Sequence, residues 1–291
     1  MTENKSKNLK NENTKEQQAK IYTIDTLISK IKVIQKDKNG EKQKKNARYD
    51  ADDIMLKKYI TNDDTPYNKF KNKEYMYHIC TILNSCCSTR MGAHRVYATA
   101  LAFSDQGDTI KEMLEKESSL DDKDLEFIQN TLCPKISLKD KDSKDFRSYS
   151  FATKFLAFHS RYKYNSKNNC SLFPIYDSQV STVIKKYGLN KIDTLEEFII
   201  KSQNKIEQER QKILEKEKND LDNYRTKHNL KRTIHLDEYP QFYRLMSIIS
   251  IATELNLTDL DHIFWTLGDE IQKEEQKEKS ESENKKQKIK S

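Results

Sequence analysis

The chain has 291 residues and a formal charge of +7, enough for one large domain or two small ones and compatible with a polyanionic partner. Its five cysteines (Cys80, Cys86, Cys87, Cys133, Cys170) form no CxxC pair and no Cys/His metal spacing, so neither a metal nor a cofactor is expected. No apolar leader and no run of membrane-crossing length is present, which points to a soluble, intracellular protein with no membrane association.

Residues 1–20 are Lys, Asn, Glu and Gln with little apolar content. They open a charged tail, expected to be mostly disordered, that runs to about residue 50. Within it, residues 21–34 have the apolar spacing of a helix or a short strand. Folded structure is expected from about Ala51, with Ile54, Met55 and Ile60 in a short helix and a strongly apolar helix over Tyr75–Ser88. A turn containing Arg90, Gly92 and Arg95 leads to a further helix through Val96, Leu101 and Phe103. Arg90 and Arg95 suit phosphate or base contacts, or equally a carboxylate at a helix junction. His94 and His159 read as structural histidines.

Gly107 is read as the end of that unit. A helix over Ile110–Glu117 follows, and Ser119-Leu120-Asp121-Asp122 resembles a capping box for the next one, through Leu125, Ile128 and Leu132, closed by Pro134. Residues 136–147 are polar, and a short helix is expected over about 140–149. The richest stretch comes next. Phe151, Ala152, Phe155, Leu156, Ala157 and Phe158 give a helix a broad apolar face, with Lys154 among them. A Lys there either snorkels outward or is partly desolvated, and desolvation favours a neutral, nucleophilic amine. After a polar loop, Phe173-Pro174-Ile175-Tyr176 delivers Asp177 to the start of another helix, where Asp177 or Ser178 would cap it and Gly188 would end it.

Residues 194–229 run as charge, with Ile199, Ile206 and Ile213 at heptad spacing and Leu214 and Leu221 likewise. One apolar position per heptad is thin for a coiled coil. The segment at about 194–235 is read as an exposed helical insertion laced by i,i+4 pairs, and as a possible surface for a protein partner. Pro240 opens a last helix pair. Phe242, Leu245, Met246 and Ile249 form one stripe, Asn256 and Thr258-x-x-Asp261 break and recap the chain, and Ile263, Phe264 and Leu267 form the next. Residues 270–291 read as a second disordered charged tail. No βαβ pattern, P-loop or GxGxxG occurs and strand-like alternation is scarce, so the fold class is all-α.

The Ser150-Phe151-Ala152-Thr153-Lys154 and Phe173-Pro174-Ile175-Tyr176-Asp177 segments resemble the helix-hairpin-helix DNA glycosylase superfamily, most closely its 8-oxoguanine branch. The likeness covers roughly residues 75–190, and 240–268 more loosely. It implies a two-lobed helical bundle, with one lobe over about 51–135 and a hairpin lobe over about 136–190, closed by C-terminal helices within a domain spanning about 51–269. It implies double-stranded DNA as partner, Lys154 as Schiff-base nucleophile and Asp177 as the carboxylate that activates it and stabilises an oxocarbenium-like sugar. Ser150, Phe151, Ala152 and Thr153 would form the hairpin turn on a DNA phosphate, with Gln179 donating to another. Tyr176, Phe264 and Trp265 would line the pocket for an extruded base. The sequence departs from the family where Ser150 and Ala152 replace hairpin glycines and Gln179 replaces a frequent histidine. These departures leave open an inactive, glycosylase-fold protein that binds DNA or another protein.

Overall fold

A computed structural model describes residues 22–39, 54–58, 60–61, 70–87, 91–116, 119–133, 149–164, 170–202, 207–230 and 232–290. The fold is all-α: among the described residues the only β pairing is an isolated antiparallel bridge between Lys191 and Thr233. The helices are α1 (Ile24–Asn39), α2 (Lys73–Cys86), α3 (Ala93–Asp105), α4 (Gly107–Leu114), α5 (Asp122–Phe127), α6 (Tyr149–His159), α7 (Ser178–Lys186), α8 (Ile192–Ser202), α9 (Gln208–Lys227), α10 (Tyr239–Thr253) and α11 (Leu257–Lys290). Helices α5 and α6 run on into π-helical turns at Ile128–Leu132 and Ser160–Tyr164.

Local chemistry sets most of these boundaries. The Asn72 side chain accepts the Glu74 and Tyr75 amides at 2.9 and 3.0 Å and starts α2. The capping box of α5 is Asp121 with Asp124, and starts two residues later than the expected Ser119. Gly188, at φ +70°, ends α7 as expected. Gly107 opens α4 instead of ending α3, and the position favours glycine because a Cβ there would lie 2.8 Å from the Phe70 backbone.

Helices α6 and α10 are buried nearly all round and form the centre. Phe155 of α6 packs its ring against Phe103 at 4.9 Å and Phe70 at 6.1 Å. His159 Nδ1–H donates to the Phe155 carbonyl at 2.8 Å, a structural role. Helix α10 is flanked by α5, α8, α9 and α11, while α2 pairs with α3 and touches α6, and α1 lies on α8.

Three expected boundaries change. The folded part begins before Ala51, since Ile24, Leu27 and Ile31 of α1 lie in the core; residues 1–21 and 40–53 are outside the described residues. Residues 270–290 are not a separate tail but continue α11, where Ile271 is buried and Glu275 pairs with Lys186 at 2.5 Å. The segment 194–235 is not an exposed insertion. Leu195, Phe198 and Ile199 of α8 are buried, and α9 lays Leu214, Glu217, Leu221 and Tyr224 against α10. Its stripe looked thin because its central member is Glu217, 2 % exposed, which accepts Arg244 Nη1 at 2.8 Å. Arg244 also reaches Asp122 at 3.0 Å and Asp220 at 3.4 Å, tying α10 to α5 and α9.

One close approach positions the functional region. A Cβ on Gly268 of α11 would lie 2.3 Å from the Gln179 carbonyl oxygen and 2.6 Å from its carbon, so α11 and the first turn of α7 meet backbone to backbone. Gly268→Val is therefore expected to destabilise the fold by about 1–3 kcal/mol or more through overpacking. Urea unfolding checks this, and an unchanged midpoint would contradict the contact.

Candidate functional site

Lys154 is one of two residues on α6 that are not buried, the other being Ser150. Its position follows from helical spacing: Phe151, Phe155 and Phe158 turn inward, and the ammonium emerges beside the end of α2. Lys154 Nζ lies 3.8 Å from Asp177 Oδ2 and donates to the Cys87 carbonyl at 3.4 Å. The Lys154 side chain is 14 % exposed and that of Asp177 6 %, so the pair is largely withdrawn from water yet still reachable at the lysine.

Asp177 is the N-cap of α7, and its Oδ1 accepts the Val180 amide at 3.0 Å. Burial pushes its carboxyl above the ordinary carboxylate range; Lys154 and the Val180 and Gln179 amides pull the other way without cancelling it. A carboxylate raised in this way is a better proton acceptor than one in water.

The strap that carries Asp177, residues 170–177, is fastened amide by amide. Ser171 N donates to Thr258 Oγ1 at 2.8 Å, Leu172 N to Ser160 Oγ at 3.3 Å and Phe173 N to Ser171 Oγ at 2.9 Å. Pro174 has no N–H. Ile175 N donates to Asp261 Oδ2 at 2.9 Å and Tyr176 N to Thr153 Oγ1 at 3.1 Å. An extended segment buried between helices must satisfy its amides on side chains, and here each partner is a hydroxyl or a carboxyl.

Asp261 was read only as part of a helix start; Asn256, which accepts the Asp259 amide at 2.8 Å, holds the cap instead. Asp261 lies inside α11, 7 % exposed, on the face that also carries Phe264 and Gly268. A carboxylate at i, i+3 and i+7 spacing with an aromatic ring and a glycine was the available signal. Burial raises its carboxyl far above the usual range, the Ile175 amide opposes this, and the charge of Asp177 adds to it. Tyr239 of α10 is the other titratable neighbour. The native state thus holds a proton on Asp261 that the unfolded chain releases above about pH 4. Its contribution to stability is complete below the unfolded pKa and is lost as pH rises towards the folded one. Asp261→Asn is expected to be more stable than the parent at neutral and alkaline pH, with the gap closing towards pH 4. Melting curves across that range check the sign.

The remaining expected site residues divide sharply. Phe151, Ala152 and Thr153 lie within α6 at 1, 0 and 0 % exposure. They are not a hairpin turn on a phosphate: Phe151 packs on Phe103, and Thr153 fastens the strap and bonds the Tyr149 carbonyl at 2.7 Å. Ser150, half-buried, is also helical. The short helix expected over about 140–149 lies, apart from Tyr149, outside the described residues, as does Arg90. Arg95 is half-buried in the first turn of α3. Gln179 is half-buried and its amide oxygen accepts the Ser178 hydroxyl at 2.9 Å. Phe264, fully buried, is core and has no face for a base, whereas Trp265 beside it is half-buried. Tyr176 is half-buried and sets its ring edge-on to Tyr149 at 5.6 Å and Phe242 at 5.0 Å.

Among the described residues no group of three His, Cys, Asp or Glu side chains could hold a metal ion, and no helix is long and apolar enough to cross a membrane. The arrangement offers an amine, a carboxylate beside it and a second, buried carboxyl bonded to the strap. No protein-family model, curated protein or solved structure matches the chain.

Proposed function

We propose that the protein is a DNA glycosylase with lyase activity, built as a two-lobed helix-hairpin-helix bundle, that extrudes a damaged or modified base from duplex DNA and excises it. One observation carries this reading: Lys154 and Asp177, set 23 positions apart in the sequence, meet at 3.8 Å in a site withdrawn from water. Asp177 takes a proton from the Lys154 ammonium and passes it to the departing base, which restores its carboxylate, and the amine lone pair forms a bond to C1′ of the sugar as the glycosidic bond breaks. The carboxylate faces the positive charge that develops on the sugar, where low local dielectric strengthens its effect. The C1′–O4′ bond then breaks, with O4′ taking a proton from the attached amine, and the protonated imine so formed acidifies the adjacent sugar carbon, whose loss of a proton expels the 3′ phosphate. Flipping costs a few kcal/mol, offset by phosphate contacts to which the net charge of +7 is suited.

A second reading is favoured by the Cys87 contact. Lys154 also ties α6 to the end of α2, so the pair serves as a structural clasp in a non-catalytic protein that holds DNA or a protein partner. Borohydride trapping on duplexes carrying 8-oxoguanine, uracil, abasic sites or modified cytosines separates the two. A covalent adduct supports the enzyme and names its substrate. Salt-sensitive binding without excision on any duplex supports the binder.

A further inference from the structure

The geometry points to Asp261 as a positioning residue for the Lys154–Asp177 pair, acting through the Ile175 amide. The inference rests on the glycosylase reading for its catalytic meaning, but its structural content is separate. Two hydrogen bonds immediately precede Asp177 along the strap. Thr153, next to Lys154 in sequence, fixes Tyr176 N to α6, and Asp261 fixes Ile175 N to α11. The same α11 meets the backbone of Gln179 at Gly268. Asp177 is therefore held between the helix that carries the lysine and the helix that carries Asp261. Without the Asp261 bond, the strap keeps only its α6 fastening at this end, and the amide of half-buried Ile175 loses its partner.

The charge state of Asp261 matters to this role. Its Oδ2 has one amide donor, while its buried Oδ1 has no hydrogen-bond partner among the described residues. An ionised carboxyl with a single donor and a second carboxylate nearby is poorly stabilised away from water. As a neutral acid it accepts the amide and adds no second negative charge beside Asp177. Lys154 then has one anionic partner, and Asp177 keeps the charge that the reaction uses. Asparagine reproduces the shape and the acceptor of that neutral acid.

The test compares Asp261→Asn and Asp261→Ala in the full chain by two measurements. Amide hydrogen exchange is read at Ile175, which reports the Asp261 bond, and at Val180, which reports whether Asp177 still caps α7. Borohydride trapping is read on the duplex that the parent protein attacks. Asp261→Ala is expected to speed exchange at both amides by about tenfold or more and to cut trapping similarly, the scale of one buried hydrogen bond. Asp261→Asn is expected to restore both. Faster exchange at Ile175 alone, with Val180 unchanged, would overturn the positioning role, and so would an asparagine variant that behaves like alanine. A parent protein that traps no DNA sinks the glycosylase reading, while the two amides still decide whether Asp261 seats Asp177. Should the alanine variant fail to fold, Asp261→Asn against the parent decides: a loss of Val180 protection there overturns the role.

Discussion

Lys154→Ala is expected to yield no borohydride-trapped adduct on any duplex, and Asp177→Asn to lower base excision by about 10²–10³, the usual effect of removing one electrostatic contact to the transition state. The two losses differ in kind. Lys154 supplies the atom that becomes bonded to the sugar, so its removal ends covalent capture outright. Asp177 supplies charge and a proton acceptor 3.8 Å away, so its removal slows a step that the amine can still attempt. Because burial raises the Asp177 carboxyl, excision should decline with falling pH from a higher value than for a carboxylate in water. Lys154→Ala also removes the cation that favours ionised Asp177, so circular dichroism and a melting curve must accompany the assay. Trapping that survives in Lys154→Ala would move the nucleophile elsewhere.

Arg244→Met is expected to destabilise the protein by about 3–5 kcal/mol, the cost of leaving a buried charge without its partner. Glu217 and Arg244 have side chains only 3 % exposed, and Arg244 also binds Asp122 at the start of α5. Removing the guanidinium strands Glu217 between α9 and α10. Replacing both, as Arg244→Met with Glu217→Leu, should recover most of the loss, because well-packed apolar pairs often match a buried ion pair. Urea midpoints at constant slope provide the measurement. A single substitution without effect would mean that α9 is not seated on α10 as described.

These two sites differ in how far they could be read in advance. Local chemistry placed Lys154 on an apolar helix and Asp177, after Pro174, at a helix start, while only the family resemblance linked the two. The Glu217–Arg244 pair was not legible, because 27 positions separate the partners and each looks like an ordinary surface charge. The same cause hid the role of α9. A glutamate in the middle of an apolar stripe reads as solvent-facing unless its buried cation is known.

Position along a helix was legible, but the direction a residue faces in the assembled protein was not. Phe151, Ala152 and Thr153 were assigned to a phosphate turn on the strength of a motif, yet they are the inner face of α6. Phe264 and Trp265 are neighbours with similar chemistry, and packing alone makes one core and leaves the other half-buried.

By itself the sequence determined the all-α class, a cap at Asp177 or Ser178, the stop at Gly188, and the apolar faces of α6 and α10. These follow from periodicity and local hydrogen bonding, which act over a few residues. The tertiary structure alone decided that the amine and the carboxylate meet, and that Asp261 holds the strap between them. It also decided that α1, α9 and the start of the C-terminal charged stretch belong to the core. Each of these depends on long-range burial, which sets whether a polar group faces water or a partner and so determines its charge and its role.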